Sequence, residues 1–192
     1  MERRQRTRQL NAFAMNHGLG FGLWWLLGFV WLVSCLSGSS IFGTFYLLQL
    51  LSVPFVGIWF SLRFRDTVES EGRLSFGEAY LYSVLLYFYA SLILALGMWF
   101  YLRFMDGGSF VAAQIATIES LTDAELPGWS ELKGNMESQL SELGYANLGE
   151  WMRARLTPTA MSSQTLCFNL LFGFVIGLFN AAVCMVYKRA KR

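Results

Sequence analysis

The chain has a single histidine, His17, and no other side chain makes a paired-His metal site with it. HExxH-type zinc chemistry is therefore excluded. No GxxxxGK(S/T) phosphate loop and no GxSxG nucleophile turn occurs anywhere in the sequence. Gly18-Leu19-Gly20-Phe21-Gly22 has the spacing of a nucleotide-binding turn, but it opens an apolar helix and follows no strand, so the mechanism of phosphate binding is missing. Cys35, Cys167 and Cys184 each lie inside apolar runs with no CxxC pair, and an odd number frames neither a disulfide set nor a zinc site. The inventory predicts no catalytic residue, no cofactor and no metal.

What remains are polar groups set in hydrophobic surroundings. Asn180 and Tyr87 stand at matching depths, roughly 10–12 Å from one end of their apolar stretches at about 1.5 Å per residue. Gln49 and Ser91 share a depth near the middle. Such pairs can hydrogen-bond between helices and fix their packing; a polar path for a substrate is the rival reading. His17 and Glu78 both lie near one interface and form a candidate proton-sensitive pair. Glu78 also completes Ser75-Phe76-Gly77-Glu78, a capping box, which accounts for it structurally. Tyr80 and Tyr82 suit one interfacial belt and Trp99 and Tyr101 the other, while Tyr87 and Tyr89 are too deep for a belt and should point at neighbouring helices.

The elements that must position these groups follow from composition. Of 192 residues, 55% are hydrophobic and only 15% charged, against about 25% charged in a soluble domain. Too little charge is present to clothe a water-facing surface. Four apolar stretches, 14–36, 41–62, 79–102 and 166–187, are each 22 to 24 residues long without Asp, Glu, Lys or Arg. Each reaches roughly 33–36 Å as a helix, enough for a hydrocarbon core of about 30 Å. The expected fold is an all-α polytopic membrane protein: a bundle of four transmembrane helices with a helical extracytoplasmic insertion between the third and fourth.

Charge gives the orientation. Eleven of the fifteen Lys and Arg residues fall in the arm 1–13, the loop 63–78 and the tail 188–192, all on one side of a four-span chain. Clustering of this kind reflects topology and not nucleic-acid binding, and places both termini in the cytoplasm. The first stretch exceeds the 7–15 apolar residues of a signal peptide core. Leu32-Val33-Ser34-Cys35 resembles a lipoprotein cleavage box, whose use would acylate Cys35; the long apolar run before it and the three spans after it argue against that.

The hairpin 14–62 holds helices 1 and 2, joined by Ser37-Gly38-Ser39-Ser40, with Pro54 inside the second. In the insertion 103–165, Phe110, Ile115, Ile118 and Leu121 predict one helix. Trp129, Leu132, Met136, Leu140 and Leu143 predict an amphipathic second, and Leu148, Trp151 and Met152 a short third. Thr157-Pro158 reads as an N-cap and first residue of the last helix, which then begins outside the lipid. Eight acidic residues against four basic ones disfavour a site on anionic lipid and favour a cap or docking surface. Ala14, Gly18 and Gly22 form one small-residue stripe; Asn169, Gly173, Gly177 and Ala181 form another. Such stripes let backbones approach closely. The favoured reading packs the first helix against the fourth, and dimerisation or partner binding is the alternative.

Gly72-Arg73-Leu74-Ser75-Phe76-Gly77-Glu78-Ala79, Thr157-Pro158 and the short basic tail resemble domain-of-unknown-function family 4199. The resemblance extends over nearly the whole layout. It implies a four-helix bacterial inner-membrane protein of no established activity, from a family whose members are often encoded near a polyprenyl-phosphate glycosyltransferase. The sequence thus suggests a non-catalytic scaffold or accessory subunit, with the lipid bilayer and a protein partner or second copy as its contacts. A small transporter or lipid-handling protein is the alternative. In the latter, Gln49, Ser91, Tyr87 and Asn180 would line one cavity; in the former they would be paired and dry.

Overall fold

A computed structural model describes residues 2–36, 38, 40–68, 74–122 and 125–186, with the side chains of 2–4 excepted. Ser37, Ser39, Gly72, Arg73 and the tail 188–192, which entered the loop, resemblance and topology arguments, lie outside the described residues.

Seven helices are described: α1 (Glu2–Leu36), α2 (Ser40–Val68), α3 (Phe76–Phe104), α4 (Ser109–Ser120), α5 (Trp129–Glu142), α6 (Leu148–Arg155) and α7 (Pro158–Val186). No strand occurs among the described residues. Helices α1, α2, α3 and α7 are long and apolar enough to cross a membrane, and they mark a membrane protein. Their outward faces agree, since Leu51, Phe55, Phe168 and Phe179 are all strongly exposed. Water would not tolerate such a surface, whereas hydrocarbon is indifferent to it. Helix α1 continues back through residues 2–13, so the basic arm is a helical extension of the first span and not a separate segment.

Helix α3 is the central element, with α1 packed along one side, α7 along another and α2 bridging the two. Its start is fixed as the sequence predicts. The Ser75 hydroxyl accepts from the Glu78 backbone N–H at 3.3 Å, and the Glu78 carboxylate accepts from the Ser75 N–H at 2.8 Å. At the start of α7, Thr157 Oγ1 accepts from the Ala160 N–H at 3.2 Å, with Pro158 as the first helical residue.

Both small-residue stripes are packing faces, but they do not meet each other. A Cβ on Gly18 would fall 2.6 Å from Tyr89 Cβ, and one on Gly22 the same distance from Ile93 Cβ. On the far side, a Cβ on Gly173 would fall 2.6 Å from Tyr87 Cβ, and one on Gly177 would be 3.3 Å from the Tyr80 ring. The expected pairing of the first helix with the fourth is therefore corrected. Each lies against α3, whose large side chains Tyr89 and Ile93 on one face and Tyr87 and Tyr80 on another sit over the glycines. Ala14 and Ala181 are fully buried in the same core, while Asn169 borders a cleft instead of a backbone contact.

The insertion sits on the end of the bundle where α3 finishes and α7 begins. Phe110 joins Phe29, Met98, Leu102 and Met161, and Ile115, Leu140, Leu148 and Met152 form a small cluster of their own. Positive φ at Gly107 and Gly108 (60° and 89°) turns the chain tightly enough for both Asp106 carboxylate oxygens to accept from the Phe110 N–H at 3.0 Å. The amphipathic face predicted for α5 is only partly used: Leu140 is buried, but Leu132 and Leu143 are exposed.

Candidate functional site

Helix α2 organises the polar interior. Its buried residues Gln49, Val53, Gly57, Ser61 and Arg65 recur every fourth position, a slow-winding stripe that faces the bundle. Three polar groupings hang on this stripe.

The first lies toward the end where α2 finishes. Tyr82 is fully buried, stacked on Phe64 with ring centres 3.9 Å apart and planes 4° from parallel. Its hydroxyl lies 2.6 Å from His17 Nδ1 and donates to the Phe60 carbonyl at 3.3 Å. Which of the two donates across the His17 contact follows the imidazole tautomer. Ser61 and Ser83 approach to 3.3 Å, and each donates to a carbonyl one helical turn back, Gly57 and Ala79. Tyr82 is thus a core residue and not the belt residue the sequence suggested. His17 faces Tyr82, while Glu78 is held by Ser75 and lies 3.6 Å from Arg6. The proposed His17–Glu78 pair is not formed, because Glu78 is already spent on the helix start. Arg65 is buried and pairs with the adjacent Asp66, with its Nη2 and Nε 2.6 and 3.0 Å from Oδ1.

The second grouping brings Tyr87 and Asn180 together as depth predicted. Both are fully buried, and they converge on Gly57: a Cβ there would collide with the Tyr87 hydroxyl and stand 3.3 Å from Asn180 Nδ2. The Tyr87 hydroxyl and both Asn180 amide atoms have no hydrogen-bond partner among the described residues. Aromatic rings of Phe21 and Trp25 pack on Tyr87 from α1, with ring centres 5.5 and 6.0 Å away. Deep Tyr89 also meets a neighbour, donating to Asn11 Oδ1 at 2.9 Å.

The third grouping separates Gln49 from Ser91, which depth alone had paired. Ser91 turns into its own helix and donates to the Phe88 carbonyl at 2.9 Å. Gln49 Nε2 instead donates to the Trp24 carbonyl of α1. The two residues share a level but not a direction around the bundle. Gln49 borders a cleft of about 700 Å³ walled by α2 and α7, with Trp25, Gly28 and Leu94 behind it. Ser91, Tyr87 and Asn180 are not among its lining residues.

Among the described residues, no group of three His, Cys, Asp or Glu side chains is placed to hold a metal ion. A family model described as a protein of unknown function, DUF4199, matches residues 16–185. The chain belongs to that family. The DUF4199 match takes in all four long helices and the insertion between α3 and α7. No curated protein and no solved structure matches the chain.

Sequence reasoning missed the buried Arg65 and the His17–Tyr82 contact. The first had a signal in the four-residue spacing along α2. The second had none, since it joins residues 65 positions apart.

Proposed function

We propose that this DUF4199 protein is a non-catalytic subunit of a bacterial inner-membrane complex, a scaffold that presents its insertion to a protein partner. Both ends of the chain lie in the cytoplasm in this reading, supported by the placement of eleven of the fifteen basic residues on one side. The insertion then faces the outside.

One observation carries the reading. The insertion helices bury Phe110 against the bundle and Ile115, Leu140, Leu148 and Met152 among themselves, yet Leu126, Leu132 and Leu143 stay exposed in a segment with twice as many acidic as basic residues. Apolar side chains rimmed by charge in water are what a docking surface offers. The acidic surroundings disfavour an anionic membrane surface as the occupant. A polyprenyl-phosphate glycosyltransferase is the first partner to try, on family resemblance alone. A path through Gln49, Ser91, Tyr87 and Asn180 is disfavoured because only Gln49 borders the cleft.

The test is purification of the tagged full chain in mild detergent, beside a Leu132→Glu/Leu143→Glu variant. A stoichiometric protein retained by the parent and lost from the variant supports the scaffold. A lone chain from both preparations overturns it.

A further inference from the structure

The geometry points to a binding site for an uncharged, hydroxyl-bearing lipid in the cleft between α2 and α7. This inference is independent of the scaffold reading and uses a different face of the protein. The two walls meet deeper in the bundle, where Gly57 approaches Asn180 Nδ2, and separate toward the insertion. The resulting space, about 700 Å³, falls within the roughly 300–1,000 Å³ of small-molecule sites. A helix about 10–12 Å across would fill it in roughly one and a half turns, so it suits a lipid head and chain better than a second helix.

The lining chemistry narrows the ligand. Gln49 is 7% exposed, and its Nε2 is committed to the Trp24 carbonyl while its Oε1 has no partner. A buried acceptor left without a donor is destabilising. This one borders the cleft and asks for a donor, and a ligand hydroxyl supplies one. Gln164, Thr165 and Asn169 on α7 offer further uncharged partners toward the insertion end. No Lys, Arg, His, Asp or Glu lines the cleft. A phosphate or ammonium head drawn in would therefore lack a counter-ion, about 13 Å along α2 from its first residue at roughly 1.5 Å per residue. The exposed rings of Phe168 and Phe172 at the margin suit the acyl chain.

The experiment is native mass spectrometry of the detergent-solubilised full chain, titrated separately with dioctanoylglycerol and with dioctanoylphosphatidylglycerol. The expected result is a saturable one-to-one adduct with the neutral lipid and none with the anionic one at equal concentration. Gln49→Leu should weaken the adduct roughly 3- to 10-fold. Asn169→Leu, which leaves the Gln49–Trp24 contact untouched, should weaken it at unchanged thermal stability, so that loss by misfolding is distinguished from loss of the site. Equal binding of the two lipids, no adduct, or full binding by both variants overturns the proposal. So does a dimer cross-linked through cysteines placed at Leu50 and Phe168, which would assign the cleft to a second copy.

Discussion

Adding one methyl group to Gly22 separates close helix packing from ordinary helix propensity, because Gly20 supplies a control two residues away. A Cβ on Gly22 would lie 2.6 Å from Ile93 Cβ and 2.9 Å from the Ala90 carbonyl oxygen, whereas one on Gly20 meets nothing within 4 Å. Carbon atoms settle at about 3.5–4.0 Å, so Gly22→Ala must push α1 away from α3 by roughly 1 Å. The gap loosens Phe21 and Trp25 on Tyr87 as well. Overpacking of this kind costs about 1–3 kcal/mol, while a Gly-to-Ala change in an open helical position gains up to about 1 kcal/mol. For a chain of this size 1 kcal/mol moves Tm by roughly 2–4 °C. Gly22→Ala should therefore lower Tm by roughly 2–12 °C, and Gly20→Ala should leave it level or raise it. Thermal unfolding of the purified variants in one detergent reads both. If Gly22→Ala is as stable as Gly20→Ala, the close approach of α1 to α3 is wrong.

Tyr82→Phe deletes the hydroxyl between His17 and Phe60 and should cost about 1–3 kcal/mol, seen as a lower Tm; an unchanged Tm would remove Tyr82 from the core network. Since His17 and Glu78 do not touch, the destabilisations of His17→Gln and Glu78→Gln should add within about 0.5 kcal/mol in a double-mutant cycle, and strong coupling would restore the discarded pair. Ser75→Ala removes the hydroxyl half of the capping box while leaving the backbone N–H of residue 75 to the Glu78 carboxylate, and should cost about 0.5–2 kcal/mol, measured by hydrogen exchange in the first turn of α3. Asp106→Ala frees the Phe110 N–H and should raise exchange across residues 109–120, whereas Asp106→Asn, which keeps an acceptor, should largely preserve protection.

Much of the architecture is legible in the residues themselves. Long uncharged runs, the Ser75–Glu78 box and Thr157-Pro158 are local signals, and each acts within one or two turns of itself. The stripes of Gly18, Gly22, Gly173 and Gly177 announce flat faces correctly but carry no information about which helix lies on them. Depth arithmetic has the same defect. It gives position along the membrane normal and not the angle around the helix, so it joins Tyr87 to Asn180 and wrongly joins Gln49 to Ser91. The angle was recoverable on α2, where every fourth residue from Gln49 to Arg65 is buried. Polar Gln49, Ser61 and Arg65 share that stripe with Val53 and Gly57, so a search for hydrophobic periodicity passes over it. The Tyr82 pairing depends on three helices meeting and leaves no trace in any one of them.

Because the central column comes from the middle of the polypeptide and one of its supports from the end, assembly has a fixed latest moment. A nascent chain that has delivered α1, α2 and α3 has placed Tyr87 and Tyr80 with one flank open, and the glycines that close it, Gly173 and Gly177, are still to be synthesised. Until α7 arrives, that flank is an aromatic seam bared to lipid. A premature stop anywhere before residue 173 leaves the molecule permanently in that half-built state.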